Sequence, residues 1–167
     1  MSSKFSDLIA YFENLATKHV AIRHSATEKH FCRMETDEAL GAMNRSDVSF
    51  PLMALEGYSY KFKDQGSDNL IKVRHCGFML LDHVSDKSDF AAMHNKWDAL
   101  EVIGDDILIK MRADKRNPAT PVIRNIDFPE IEALLIQNEL GNTIGIRYLF
   151  PIDSPISSDV DATKWDE

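Results

Sequence analysis

The sequence has little cysteine and no long apolar run. Cys32 and Cys76 are its two cysteines, far apart and outside any C-x-x-C pattern. Free thiols in a reducing cytosol are therefore expected. No stretch approaches the roughly 18 consecutive apolar residues of a transmembrane helix, and the N-terminal residues lead into an amphipathic pattern, unlike a signal peptide. These features predict a cytoplasmic protein with no membrane partner.

Basic residues are also few. Lysine and arginine number 19 against 27 aspartates and glutamates, so the 167-residue chain carries a net charge of −8. Binding of nucleic acid through phosphate neutralisation usually needs a basic surplus, so nucleic acid is not an expected partner. The apolar share of 44% and charged share of 28% are those of a folded protein, and the length suits one domain.

Motifs of nucleophilic catalysis are missing. No serine stands in a G-x-S-x-G elbow. His75 and Cys76 are neighbours, and neighbours on a strand point to opposite faces, so they do not form a thiolate–imidazole pair. Cys76 is expected to be buried and inert. The sequence therefore predicts no catalytic residue and no cofactor, and favours a protein that is not an enzyme.

Paired carboxylates do not change that prediction. Asp105 and Asp106 are expected on a solvated helix face. Glu130 and Glu132 could share a strand face for acid–base work, or pair with Arg147 across a hairpin. The structural role is favoured for both pairs.

A metal site is considered because the chain has six histidines: His19, His24, His30, His75, His83 and His94. None lies in a compact ligand motif such as H-x-x-x-H. Scattered histidines at the surface or its boundary are favoured, and no metal is predicted. A metal-dependent enzyme that uses His75, His83 and a carboxylate is the least favoured functional hypothesis.

The N-terminal segment is predicted to be a helix, with Ser3 or Ser6 as the N-cap. Its apolar residues recur at helical spacing on one face: Phe5, Leu8, Ile9, Phe12, Leu15 and Ala16. Residues 20–49 leave two interpretations open. In one, short strands at 20–24 and 29–34 precede a short helix over 36–43; in the other, residues 26–43 form one irregular excursion.

Two β-hairpins are predicted further along the chain. Strand-like runs over 50–62 and 70–84 flank a polar loop at 64–69, and runs over 130–140 and 143–150 flank the turn signal Gly141-Asn142. Residues 121–128 are read as an edge strand or a connector.

A long central helix lies between the hairpins. Residues 85–89 offer its N-caps, Asn117-Pro118 ends it, and Gly104 marks a close contact or a bend. Its predicted apolar face comprises Phe90, Met93, Trp97, Leu100, Ile103, Ile107, Leu108 and Met111.

This order of elements predicts an α+β fold, mainly an antiparallel sheet of two hairpins, with the N-terminal helix and the long central helix on one face. Residues 1–150 are expected to form a single domain. Residues 151–167 are expected to form an acidic, mobile tail.

A basic cluster stands out in this acidic chain: Lys110, Arg112, Lys115, Arg116 and Arg124. With Asp114, residues 110–124 carry a local charge of +4, whereas residues 151–167 carry five acids and one lysine, a local −4. Opposite charges on one chain suit head-to-tail association of copies. The alternative is that the cluster complements the helix dipole and the tail only solvates the protein.

The order of elements also resembles that of bacteriophage tail-terminator or tail-completion proteins. The likeness covers residues 5–153 and comprises the N-terminal helix, a hairpin, the central helix around Trp97, and a closing strand Gly145-Ile146-Arg147-Tyr148-Leu149-Phe150. The chain is similar to prophage-borne proteins as well. The resemblance implies a mixed α/β subunit without catalytic residues that assembles into a ring at the head-proximal end of a tail, beside other tail or neck proteins.

A different class of function competes with assembly. A monomeric ligand-binding or regulatory domain would hold a small molecule between the long helix and the sheet. The aromatic residues Tyr58, Tyr60 and Trp97 would line that pocket.

Overall fold

Two helices and six strands make up the fold in a computed structural model, which describes residues 4–34, 48–64, 69–86, 88–137, 142–157 and 162–165. The helices are α1 (Phe5–Lys18) and α2 (Phe90–Asp114). The strands are β1 (Phe31–Met34), β2 (Leu52–Glu56), β3 (Ser59–Asp64), β4 (Asn69–His83), β5 (Glu132–Gln137) and β6 (Thr143–Ser157). The predicted α+β class is confirmed.

The sheet has the order β1-β2-β4-β6-β5, and β3 also pairs with β4. All neighbours are antiparallel except β1 and β2, which are parallel. The strands β2 and β3 lie along the same edge of β4, where β3 pairs with residues 70–75 and β2 with residues 78–81. The strands β4 and β6 pair over all fifteen residues and form the centre of the sheet.

One face of the sheet carries the main core. Met53, Phe78 and Tyr148 point to this core face and share a buried cluster with residues of both helices. Phe12 of α1 lies 5.2 Å from Phe78 between ring centroids, and Phe78 stacks on Tyr148 at 4.8 Å. Full burial of such a side chain stabilises the fold by roughly 1.5–3 kcal/mol. The opposite face of the sheet, here the second face, carries Glu56, Gly77 and Arg147.

The α1 pattern is confirmed, but its predicted caps are not. The buried residues of α1 are Leu8, Tyr11, Phe12, Leu15 and Ala16. The helix begins after Lys4, whose backbone N–H donates to Asp7 Oδ2 at 2.8 Å. A carboxylate in the first turn satisfies a free N–H and suits the helix dipole, so Ser6 lies inside the helix instead of capping it. The other predicted cap, Ser3, lies outside the described residues.

Helix α2 follows its predicted pattern except at the N-terminus. Asp89 caps it by accepting from Ala92 N–H at 2.9 Å. Its buried apolar side chains are Met93, Leu100, Ile103, Ile107 and Met111, whereas Phe90 is 67% exposed because it lies at the first position of the helix. Gly104 is a close contact, since a Cβ there would collide with the Tyr148 hydroxyl. Neither helix has the length and apolar character needed to cross a membrane among the residues described.

The predicted strand over 20–24 is wrong. Ile22 and Arg23 donate their N–H groups to the His19 carbonyl at 3.1 and 2.9 Å, which closes a turn, and Arg23 has a φ of 54°. The burial of Ile22 explains the apolar signal without a strand. The predicted helix over 36–43 lies outside the described residues. Two short 3₁₀ turns, Pro121–Ile123 and Phe128–Glu130, connect α2 to β5.

The acidic tail does not begin at residue 151. Residues 151–157 continue β6 and pair with β4 residues 69–75, and Ile152 is buried. Pro151 and Pro155 concealed this strand in the sequence. Both lie where β5 no longer pairs with β6, and proline is tolerated where a strand needs no hydrogen bond on one side.

Candidate functional site

The basic cluster is partly used inside the chain. The Lys115 ammonium donates to the Ile126 carbonyl at 2.6 Å and lies 5.7 Å from the Phe128 ring centroid. Lys110 bonds to Asp114, and Arg124 donates to the Pro118 carbonyl at 3.5 Å. The contacts of these three basic residues stabilise the end of α2 and the turns that follow it.

Arg112 and Arg116 are placed differently. They are one helical turn apart, are exposed, and border an open depression of about 690 Å³ with Lys115, Phe128 and Pro129. Within the described part of the chain, neither arginine has an ion pair or a side-chain hydrogen bond. Of the five predicted interface residues, these two are therefore the ones whose charged groups are not used in contacts among the described residues.

A buried polar network holds this end of α2 against α1. Tyr11 donates its hydroxyl to Asp114 Oδ2 at 3.1 Å, and Thr120 donates to the Asp114 carbonyl at 2.5 Å. Burial, reinforced by the Asp114 charge, raises the pKa of Tyr11 well above its ordinary value. These hydrogen bonds therefore fix the end of α2 that precedes Arg116.

Strand β3 is an exposed edge of the sheet. It pairs with β4 on one side, no described strand pairs with its other side, and all six of its residues are exposed. Tyr60 and Phe62 are 51% and 54% exposed and lie on the core face beyond the main cluster. The Lys72 ammonium lies 4.3 Å from the Tyr60 ring centroid. Lys61 and Lys63 alternate with the aromatic residues and lie on the second face.

Strand β5 is an exposed edge at the other side of the sheet. It pairs with β6, and among the described strands it has no second neighbour. Leu134 and Leu135 are 47% and 64% exposed. The register places Leu135 on the core face, opposite Ile146, and Glu132 on the second face, opposite Leu149. The sequence-based interpretation missed both edges, because the runs alone do not show which strands are outermost.

The second face holds an open depression of about 570 Å³ around an ion pair. Arg147 donates from Nε and Nη2 to the two Glu56 carboxylate oxygens at 2.7 and 2.6 Å. The predicted pairing of Arg147 with Glu130 or Glu132 is wrong, because Leu134 is the β5 residue directly opposite Arg147. Glu130 and Glu132 line the depression instead.

Two polar groups beside this depression, the Arg147 guanidinium and the Cys76 thiol, are respectively paired and buried. Arg147 is paired with Glu56, and the hydrogen bonds that it donates to the Glu56 carboxylate raise the pKa of Arg147. His75 lines the depression, but the Cys76 side chain belongs to the core, where burial raises the pKa of its thiol to about 12. A protonated, buried thiol is a poor nucleophile.

The histidines do not converge on one point. His19 Nε2 lies 3.5 Å from Asp106 Oδ2, and His24 Nε2 lies 3.7 Å from Glu13 Oε1. His75 and His83 are eight residues apart on β4, roughly 27 Å at about 3.4 Å per residue, too far to share an ion. Among the described residues, no three histidine, cysteine, aspartate or glutamate side chains are placed to hold one metal ion.

The aromatic residues of the ligand-binding hypothesis are also separated. Tyr58 packs on Phe5 at 5.1 Å between centroids, and Tyr60 lies against Lys72. Trp97 donates to the Gly145 carbonyl at 3.1 Å, at the other end of β6. The sheet register sets Ser59, which follows Tyr58, level with Pro151, six residues along β6 from Gly145. At about 3.4 Å per residue this is roughly 20 Å, so these three side chains do not line one pocket.

Comparisons with known proteins add no function. No protein-family model matches the chain, and no curated protein sequence is significantly similar to it. The two sheet edges and the arginine pair are therefore the features on which a function is argued.

Proposed function

We propose that the protein is a non-enzymatic structural subunit of a phage tail or tail-like particle, which associates with copies of itself into a ring. Other tail or neck proteins are its further partners. The subunit is cytoplasmic before it is assembled into the particle. The phage setting follows from the resemblance in the order of elements. In this proposal the subunit is built as two antiparallel pairs, β3–β4 and β5–β6, with both helices on one face.

The observation that carries self-association is the exposure of two outer strands of the sheet, β3 and β5. Folded monomers usually blunt, cover or shorten their edge strands, because free N–H and C=O groups invite pairing with another chain. Here β3 and β5 are both exposed, and four large apolar side chains, Tyr60, Phe62, Leu134 and Leu135, are about half exposed or more. Contact with other copies would remove this apolar surface from water.

Charge supports head-to-tail contacts. At a net charge of −8 the subunits repel each other at long range, so association needs local complementarity. Arg112 and Arg116 supply a positive surface on the outside of α2. Acidic side chains on a neighbouring subunit or tail protein would meet them.

Negative-stain electron microscopy of the purified chain tests the proposal. Rings of uniform diameter with a central hole are the expected result. Dispersed particles of single-subunit size, at concentrations where light scattering also gives a monomer, would contradict it.

A further inference from the structure

We propose that neighbouring subunits join by pairing β3 of one copy with β5 of the next, so that the sheet continues from subunit to subunit. This inference rests on the proposed self-association and names the two surfaces that meet. Its first support is that both strands lie at the outside of the sheet and are exposed.

Strand direction gives the second support. From one side of the sheet to the other, β3, β4, β6 and β5 are each antiparallel to the next. Strands β3 and β5 therefore run in opposite directions. When a second copy is placed beside the first in the same orientation, its β3 is antiparallel to the first copy's β5. A head-to-tail arrangement thus continues the antiparallel sheet without inverting a subunit.

The side chains of the two edges are complementary on both faces. On the core face, Tyr60 and Phe62 of β3 would meet Leu135 of β5. On the second face, Lys61 and Lys63 of β3 would meet Glu132. Aromatic–aliphatic pairs and opposite charges across adjacent strands both stabilise a sheet.

The same charges disfavour a two-fold dimer through β3. Antiparallel pairing of β3 with β3 would bring Lys61 and Lys63 against the same lysines of the other copy. Like charges on facing strands are destabilising, so the charge pattern selects β3–β5 over β3–β3.

The two edges are offset along the strand direction. Strand β3 lies level with residues 151–156 of β6, and β5 pairs with residues 144–149. Their centres are thus seven residues apart along β6, roughly 24 Å at about 3.4 Å per residue. Successive copies would therefore be staggered along the strands, and they form a ring if the rotation between copies closes.

Charge-swap variants test the pairing. Variant A carries Lys61→Glu and Lys63→Glu, and variant B carries Glu132→Lys; all three positions are exposed, so neither variant should disturb the fold. Glu101→Lys, at an exposed position of α2, makes the same change in net charge as variant B and is its control. Lys4→Glu/Lys18→Glu, also at exposed positions, makes the same change as variant A and is the control for that variant. Each sample is sized by light scattering beside the wild-type protein, and circular dichroism checks its fold.

Variants A and B are each expected to associate at least tenfold more weakly than wild type, while both controls assemble normally. An equimolar mixture of A and B should recover the wild-type mass, because acidic β3 edges then meet basic β5 edges and the reverse. Wild-type assembly by A or B alone, or no recovery in the mixture, would overturn the β3–β5 pairing and leave self-association standing. A wild-type protein that stays monomeric would overturn the proposed function itself.

Discussion

Glu56 and Arg147 lie on strands separated by β4, and their side chains meet over Gly77. The two hydrogen bonds measure 2.6 and 2.7 Å. A Cβ on Gly77 would lie 3.3 Å from the Glu56 carboxyl carbon. Because glycine has no Cβ, the two side chains have space to meet above this position. The pair therefore ties β2 to β6 across the centre of the sheet.

Replacing Arg147 by methionine is expected to lower the free energy of unfolding by about 2–3 kcal/mol, because the buried Glu56 carboxylate would lose the two hydrogen bonds that it accepts from Arg147. Glu56 is 5% exposed, so water cannot replace the arginine well. Urea denaturation measures the loss. The double variant Glu56→Gln/Arg147→Met should lose less than Arg147→Met alone, and an equal or larger loss would contradict the argument.

The Tyr11–Asp114 contact gives a second prediction. Tyr11→Phe removes a buried donor to a carboxylate and is expected to cost about 1–3 kcal/mol. Tyr60→Phe, at an exposed position, is the control and should change stability by no more than about 0.5 kcal/mol. Thermal and urea unfolding compare the two. Equal effects would show that the Tyr11 hydroxyl does not support the α1–α2 junction.

The buried Cys76 thiol is expected to make the free energy of unfolding depend on pH in the alkaline range. Its pKa is raised from 9.0 to about 12 in the folded protein. Between these values the unfolded chain releases the thiol proton while the folded protein retains it, so the free energy of unfolding falls as pH rises from about 9 to about 12. Below pH 9 this thiol contributes no pH dependence.

Urea denaturation of wild type and Cys76→Ala at pH 8 and pH 10.5 isolates this contribution. The variant should lose less stability than wild type between the two pH values. Iodoacetamide at pH 8 should modify Cys76 in urea and leave it unmodified in the native protein. Parallel losses, or rapid native modification, would contradict a buried neutral thiol.

Arg112→Glu/Arg116→Glu is expected to weaken self-association at least tenfold while the fold is retained, because it removes the positive surface of an acidic subunit. Lys115 is left unchanged, since its bond to the Ile126 carbonyl supports the fold. The control Lys4→Glu/Lys18→Glu makes the same change in net charge on α1. Light scattering at equal protein concentration compares them, and an equal loss in both would assign the effect to net charge.

Periodicity made the helices predictable from sequence. The stripe from Leu8 to Ala16, and the α2 stripe from Met93 to Met111, both follow helical spacing, and both became core. Spacing alone did not place Phe90, because exposure at a first helical position depends on where the helix meets the sheet. The strand continuing to Ser157 was missed because Pro151 and Pro155 resemble a break, and their tolerance depends on the end of β5.

The site could not be read from the sequence for a related reason. The Glu56–Arg147 pair joins residues 91 positions apart, and it forms because β4 lies between β2 and β6 with a glycine at the crossing point. The exposed edges depend in the same way on strand order. The basic cluster was visible in the sequence as a run of charges. Which of its members bond inside the chain, as Lys115 does, and which stay at the surface, as Arg112 does, depends on where the turns after α2 lie.

Light scattering on a sizing column, over a wide range of protein concentration, tests self-association most directly. The account predicts a discrete mass that is a whole multiple of the 19.0 kDa chain and is unchanged over the upper part of the range. A mass of one chain at every concentration would contradict it.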